Sequence, residues 1–176
     1  MKNGDFNWQV AGFLFTGILG TLLHFLFGWT KGGVVAALFS AVNESIWEHM
    51  KLLFYPMFWF AGIQHRVLGR KCSCFWWVKC RSILLGLGLI PILYYTYTGV
   101  LGLSADWFNI TIFFLAAGAA FWTEGRGGGT CRLGSKASLA LLWGMAVVFT
   151  VLTFLPPHLP IFRDPLTGTY GFWEFH

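Results

Sequence analysis

Apolar positions run along this chain in long blocks rather than in alternation. Stretches free of Asp, Glu, Lys and Arg cover 8–27, 82–105, 107–123 and 137–155. Crossing ~30 Å of hydrocarbon takes about 20 helical residues, so each block predicts a spanning helix. Pro91 predicts a kink in the second block. Trp107 and Trp122 flank the third as interfacial aromatics do. Pro156-Pro157 closes the fourth, because proline cannot continue a helix. The first block is too long for a secretory signal and has no small-residue cleavage pattern, so it reads as a retained helix.

The region 32–63 breaks this pattern. Two short apolar pieces, 32–42 and 52–63, flank the polar string Asn43-Glu44-Ser45-Ile46-Trp47-Glu48-His49-Met50-Lys51. Two arrangements fit: a re-entrant helical hairpin with the polar string at its tip, or a pair of spanning helices broken near 40–43. The expected fold is an all-α polytopic membrane helix bundle, with four clear spanning helices plus this broken or re-entrant element, in one domain over 1–176.

Composition agrees with a membrane solvent. Of 176 residues, 56% are apolar, 19% aromatic and 11% charged, against roughly 25% charged in an average soluble domain. That excludes a soluble globular enzyme, a disordered tail and a disulfide-stapled mini-domain. The formal charge of +5 sits mostly in loops 64–81 and 124–136, while 103–106 has no Lys or Arg. The positive-inside rule then makes the two basic loops cytoplasmic and the tail 156–176 external. The charge is topological and does not point to nucleic acid. The glycine-rich segment 124–130 lacks the spacing and Lys-Ser/Thr ending of a phosphate loop.

The polar string carries the candidate chemistry. In the hairpin, Asn43 lies roughly 18 Å from Gly32 along a helix, near mid-bilayer, where ionisable groups mark functional sites. On a helix Glu44, Glu48, Lys51 and Tyr55 form one stripe, flanked by Ser45 and His49. A structural reading competes: Asn43, or Ser45 with Glu48 as a capping box, starts a helix, and Glu48 neutralises Lys51. In the first block Gly12, Thr16, Gly20 and His24 recur every fourth residue, a small-residue face that packs closely and brings His24 inward. The candidate metal ligands are Glu44, Glu48, His49 and His24, for a divalent ion such as zinc. Candidate substrate or ion contacts are Asn43, Glu44, Ser45, Glu48, Lys51 and Asp164, and Glu48 and His49 are the catalytic candidates of an enzyme. Asp164 belongs to the tail run 164–171, whose Asp-Pro and Thr-Gly pairs predict turns. Cys72, Cys74, Cys80 and Cys131 fall in the two basic loops, so they are expected to be reduced thiols. Their spacing lacks the paired C-x2-C of a structural zinc site.

The N-E-S-x-W-E-H-x-K string, taken with the tail run D-P-x-T-G-x-Y-G, resembles a family of small bacterial multi-pass membrane proteins of unknown function. That resemblance implies a bacterial cytoplasmic-membrane location and carries no activity. Three functions fit the residues. The first is a transporter or channel-like protein for a cation or small polar solute, coupled through Glu44 and Glu48. The second is a membrane-embedded metal-dependent hydrolase or transferase on a lipid-like substrate. The third is an accessory membrane subunit that docks through its polar cluster. The expected partners are the lipid bilayer and a second copy of the chain or a partner subunit.

Overall fold

The structure, a computed structural model, describes residues 3–67, 74–102, 105–126 and 131–174. It is all-helical: α1 (Asn3–Trp29), a single turn α2 (Val34–Ala37), α3 (Ile46–Val67), α4 (Phe75–Leu101), α5 (Asp106–Gly125) and α6 (Ser135–Phe154). A 3-10 turn, Pro160–Phe162, lies in the tail. Among the described residues, three helices are long and apolar enough to cross a membrane: Asn7–Trp29 within α1, Phe75–Leu101 and Ser135–Phe154. The chain is thus consistent with a helical membrane protein. The third sequence block became α5, which is not among those three. Its apolar stretch is shortened by Asn109 at one end and Glu124 at the other.

Of the two expected arrangements of 32–63, the chain shows the break near 40–43, between α2 and α3, but not a pair of spanning helices around it. The first apolar piece makes only one helical turn before a polar loop, and the second fuses with the end of the polar string into the 22-residue α3. The reason is local. Ser45 caps α3 by accepting a hydrogen bond from the Glu48 backbone N–H at 3.4 Å, so the helix starts two residues after Glu44 and passes through Lys51 without a break. The polar string therefore sits at one end of the bundle, not at the tip of a hairpin.

Helix α3 is the central element and packs on α1, α4 and α6. Its buried residues include Leu53, Phe54, Met57, Phe58 and Phe60, the middle of the hydrophobic core. Small residues bring its neighbours close. A Cβ on Gly86 of α4 would stand 2.9 Å from Leu53 Cδ2 and 3.2 Å from Ala120 Cβ. The outer faces of the helices are apolar and exposed, as in Leu14, Ile18 and Leu22 of α1 and Val147, Val148 and Val151 of α6. Exposed apolar surface on this scale suits lipid and not water.

The other end of the bundle holds a second polar group. Lys79 of α4 is buried and pairs with Glu124 of α5 at 2.5 Å, and it also donates to Gln64 of α3. These three residues belong to helices, so the basic loops are shorter than 64–81 and 124–136. At the same end Cys74 and Cys131 form a disulfide with Cα atoms 5.5 Å apart, against the expectation of reduced thiols. The loops on either side of it are brought together by the contact of α4 with α5 and α6, a proximity that compartment reasoning cannot see. Cys80 is a buried free thiol, and Cys72 lies outside the described residues. A non-reducing digest of oxidised protein should yield the Cys74 peptide joined to the Cys131 peptide. Recovery of both as separate alkylated peptides from unreduced protein would contradict that link.

Candidate functional site

The site is assembled where α1 ends, α3 begins and the tail folds back. On α1, the Gly12/Thr16/Gly20/His24 face lies against α3 and α5. A Cβ on Gly20 would stand 3.0 Å from the Leu52 carbonyl oxygen and 2.8 Å from Phe113. That absence of a side chain lets α1 approach until the His24 and His49 rings lie 5.6 Å apart. Between them sits Glu44. His24 Nε2 is 3.7 Å from Glu44 Oε1 and His49 Nε2 is 3.5 Å from Glu44 Oε2. One ligand atom from each of His24, Glu44 and His49 falls within 4.8 Å of the others. Two imidazole nitrogens and one carboxylate are groups that could hold a metal ion.

Two contacts beyond these three side chains fix their geometry. His49 Nδ1 is 3.0 Å from the Ser45 carbonyl oxygen, an acceptor that requires Nδ1 to carry the proton. The His49 Nε2 is thereby turned toward Glu44. Metal-ligating histidines are oriented in the same way, by a hydrogen bond at the other ring nitrogen. The Glu44 backbone N–H donates to Asp164 Oδ2 at 3.4 Å, which ties the ligand loop to the tail. His24 Nδ1 is buried and finds no hydrogen-bond partner among the described residues.

Glu48 goes elsewhere. Because α3 starts at Ile46, Glu44 leaves the helical stripe, and Glu48 projects with Lys51 toward α6. Glu48 Oε2 is 2.5 Å from Lys51 Nζ and accepts from the Val42 N–H at 3.2 Å. Glu48 Oε1 accepts from the Thr153 hydroxyl at 2.8 Å. Lys51 Nζ also donates to the Ala37 carbonyl and to Thr153 Oγ1, both at 2.9 Å. Lys51 is fully buried and Glu48 nearly so. The group joins α2, α3 and α6 and stands apart from the His24–Glu44–His49 cluster.

The remaining candidates are in the turns. Asn43 Oδ1 accepts from the Ser45 N–H at 3.1 Å, shaping the turn before α3. Asp164 is buried, and its Oδ1 accepts from the N–H groups of Leu166 and Thr167 at 2.8 and 3.3 Å. Its carboxylate thus organises the tail turn. Tail docking also depends on Gly171, whose φ is +56° and whose Cβ position lies 2.6 Å from both Pro156 Cγ and the Thr153 carbonyl oxygen. Beside it the Phe172 N–H donates to that same carbonyl at 2.9 Å. The Lys79–Glu124–Gln64 group was not visible in the sequence, where its members look like solvated loop charges.

Fold and site together describe a helical protein, consistent with a membrane protein, that carries a histidine–carboxylate cluster at one end of its bundle. Residues 2–172 match a family of unknown function (DUF6512), and the chain belongs to that family. No curated protein and no solved structure matches it.

The Lys51–Glu48 clamp and the Glu44 carboxylate should respond differently to substitution. Removing one partner of a buried ion pair costs about 3–5 kcal/mol, so Lys51→Met should lower stability by that amount in detergent unfolding. Glu44 has a side chain 42% exposed, and Glu44→Gln should cost less than about 1 kcal/mol. Equal losses for the two variants would contradict the separation of the clamp from the cluster.

Proposed function

We propose that the chain is a membrane-embedded, metal-dependent hydrolase or transferase acting on a lipid-like substrate. The observation that carries this reading is the convergence of His24, Glu44 and His49 from two elements and a loop, within 4.8 Å, at a half-buried position. His24, Glu44 and His49 would hold a divalent ion such as zinc, which would supply an activated water for hydrolysis. The chain's own work is orientation. Ser45 sets the His49 ring, Asp164 holds the Glu44 backbone, and the close approach at Gly20 sets the position of His24.

Transport is the weaker reading. The two buried polar groups, Glu48–Lys51–Thr153 and Gln64–Lys79–Glu124, lie at opposite ends of α3. Between them the buried side chains of α3 are apolar apart from Tyr55, whose hydroxyl is bonded to Ala146 and Thr150 of α6. Among the described residues, no chain of polar groups joins the ends.

Zinc titration of the purified protein should give one site per chain. Each of His24→Ala, His49→Ala and Glu44→Gln should weaken it by at least about a hundredfold, since loss of an orienting contact alone costs 10–100-fold. Binding should also weaken as the solution is made acidic, because protons compete with the metal for the imidazole nitrogens. Unchanged affinity in all three variants would overturn the site.

The orientation proposed for the bundle follows the basic residues: it puts the basic ends in the cytoplasm of a bacterial cell, where the Cys74–Cys131 link closes only when the protein is oxidised, and the cluster and tail on the outer face. In intact cells an impermeant maleimide should label Leu166→Cys and reach Lys136→Cys only after permeabilisation. The reverse pattern would invert the topology. Native cysteines are poor reporters here, because Cys74 and Cys131 are bonded and Cys80 is buried.

A further inference from the structure

Resting on the metal-centre reading above, we infer that the substrate is a membrane lipid whose hydrocarbon chain lies in the groove between α1 and α5 while its headgroup oxygens reach the His24–Glu44–His49 cluster. Two adjoining hollows make this groove. The upper one, about 190 Å³, has His24, His49 and Asn109 at one side and Gly20, Phe113 and Phe114 along it. The lower one, about 370 Å³, runs on past Gly17, Ile18, Leu22 and Phe13. Thr21 and Phe114 line both, so the two hollows adjoin along α1.

Chemistry changes along that groove. The polar end holds both imidazoles of the cluster, and the far end is lined by apolar side chains apart from Thr21. Its rim is exposed toward the membrane, with Ile18 64%, Ile110 58% and Phe25 50% accessible. A polar head and an apolar tail held a few residues apart on one helix match an amphiphile that enters sideways from the bilayer. A water-soluble ester would leave the apolar length of the groove unfilled. Glycines at 17 and 20 keep the groove floor low: a Cβ on Gly17 would stand 3.0 Å from Phe114.

The test uses the full chain, loaded with zinc, in vesicles of phosphatidylglycerol and phosphatidylethanolamine doped with a phospholipid carrying a diazirine in its acyl chain. Photo-crosslinks should concentrate on residues 13–25 and 107–114. The rim variants Ile18→Trp and Ile110→Trp leave every helix contact face intact. Combined, they should cut crosslinking there by roughly tenfold, the equivalent of about two unburied methylene groups, with zinc affinity unchanged. A free-phosphate arm separates the headgroup from its ion: inorganic phosphate added before irradiation should not displace the lipid and so should leave the crosslink yield unchanged. Crosslinks spread evenly round the bundle, with zinc still bound, would mean annular lipid only and would overturn the groove while leaving the metal centre standing. Displacement by inorganic phosphate alone would overturn the requirement for a chain. Loss of zinc binding with crosslinks still concentrated in the groove would leave the lipid site standing and remove the metal reading on which catalysis rests.

Discussion

The buried ion pair between Lys51 and Glu48 is the constraint on which the rest of this end of the protein depends. An ammonium and a carboxylate without solvent are tolerated only when each remaining hydrogen-bonding position is satisfied. Here α2 supplies the Ala37 carbonyl, the following loop supplies the Val42 N–H, and α6 supplies the Thr153 hydroxyl. Satisfying the pair therefore fixes where α2, the polar loop and α6 meet α3. The tail then docks on the carbonyl of the same Thr153 through Phe172. With the loop held at Val42 and the tail at Thr153, Glu44 has one place to be, between His24 and His49.

This arrangement divides labour between residues that look equivalent in the string 43–51. Glu48 and Lys51 face α6 and stabilise. Glu44 and His49 face α1 and remain partly accessible. Division of this kind suits the site proposed above: Glu48 and Lys51 are buried and hydrogen-bonded, while the side chains of Glu44 and His49 remain partly exposed. The same logic recurs at the far end, where Lys79 and Glu124 are buried as a pair beneath Phe60 and Phe75. Each end of the apolar core is closed by an internally neutral polar group.

Much of this was legible in the residues, and the losses have identifiable causes. The every-fourth-residue pattern of Gly12, Thr16, Gly20 and His24 pointed to a packing face carrying a histidine, because helical periodicity survives without knowledge of the partner. The string 43–51 stood out as a polar cluster for the same reason. Its internal geometry was misread because the stripe Glu44–Glu48–Lys51 assumes one continuous helix, and the Ser45 cap starts that helix after Glu44. Glu48 and Glu44 consequently diverge. The Lys79–Glu124 pair and the Cys74–Cys131 link join residues distant in sequence, and no local spacing records such contacts. The tail run 164–171 was legible as turns, while the reach of Asp164 to the Glu44 backbone depends on how the tail folds back.

X-ray absorption at the zinc edge of the loaded protein tests the central claim most directly. A centre built from His24, Glu44 and His49 should show only nitrogen and oxygen neighbours near 2.0–2.1 Å, with two imidazole scattering patterns that fall to one in His49→Ala. Sulfur scattering at about 2.3 Å, or a spectrum indifferent to loss of His49, would place the metal elsewhere and contradict it.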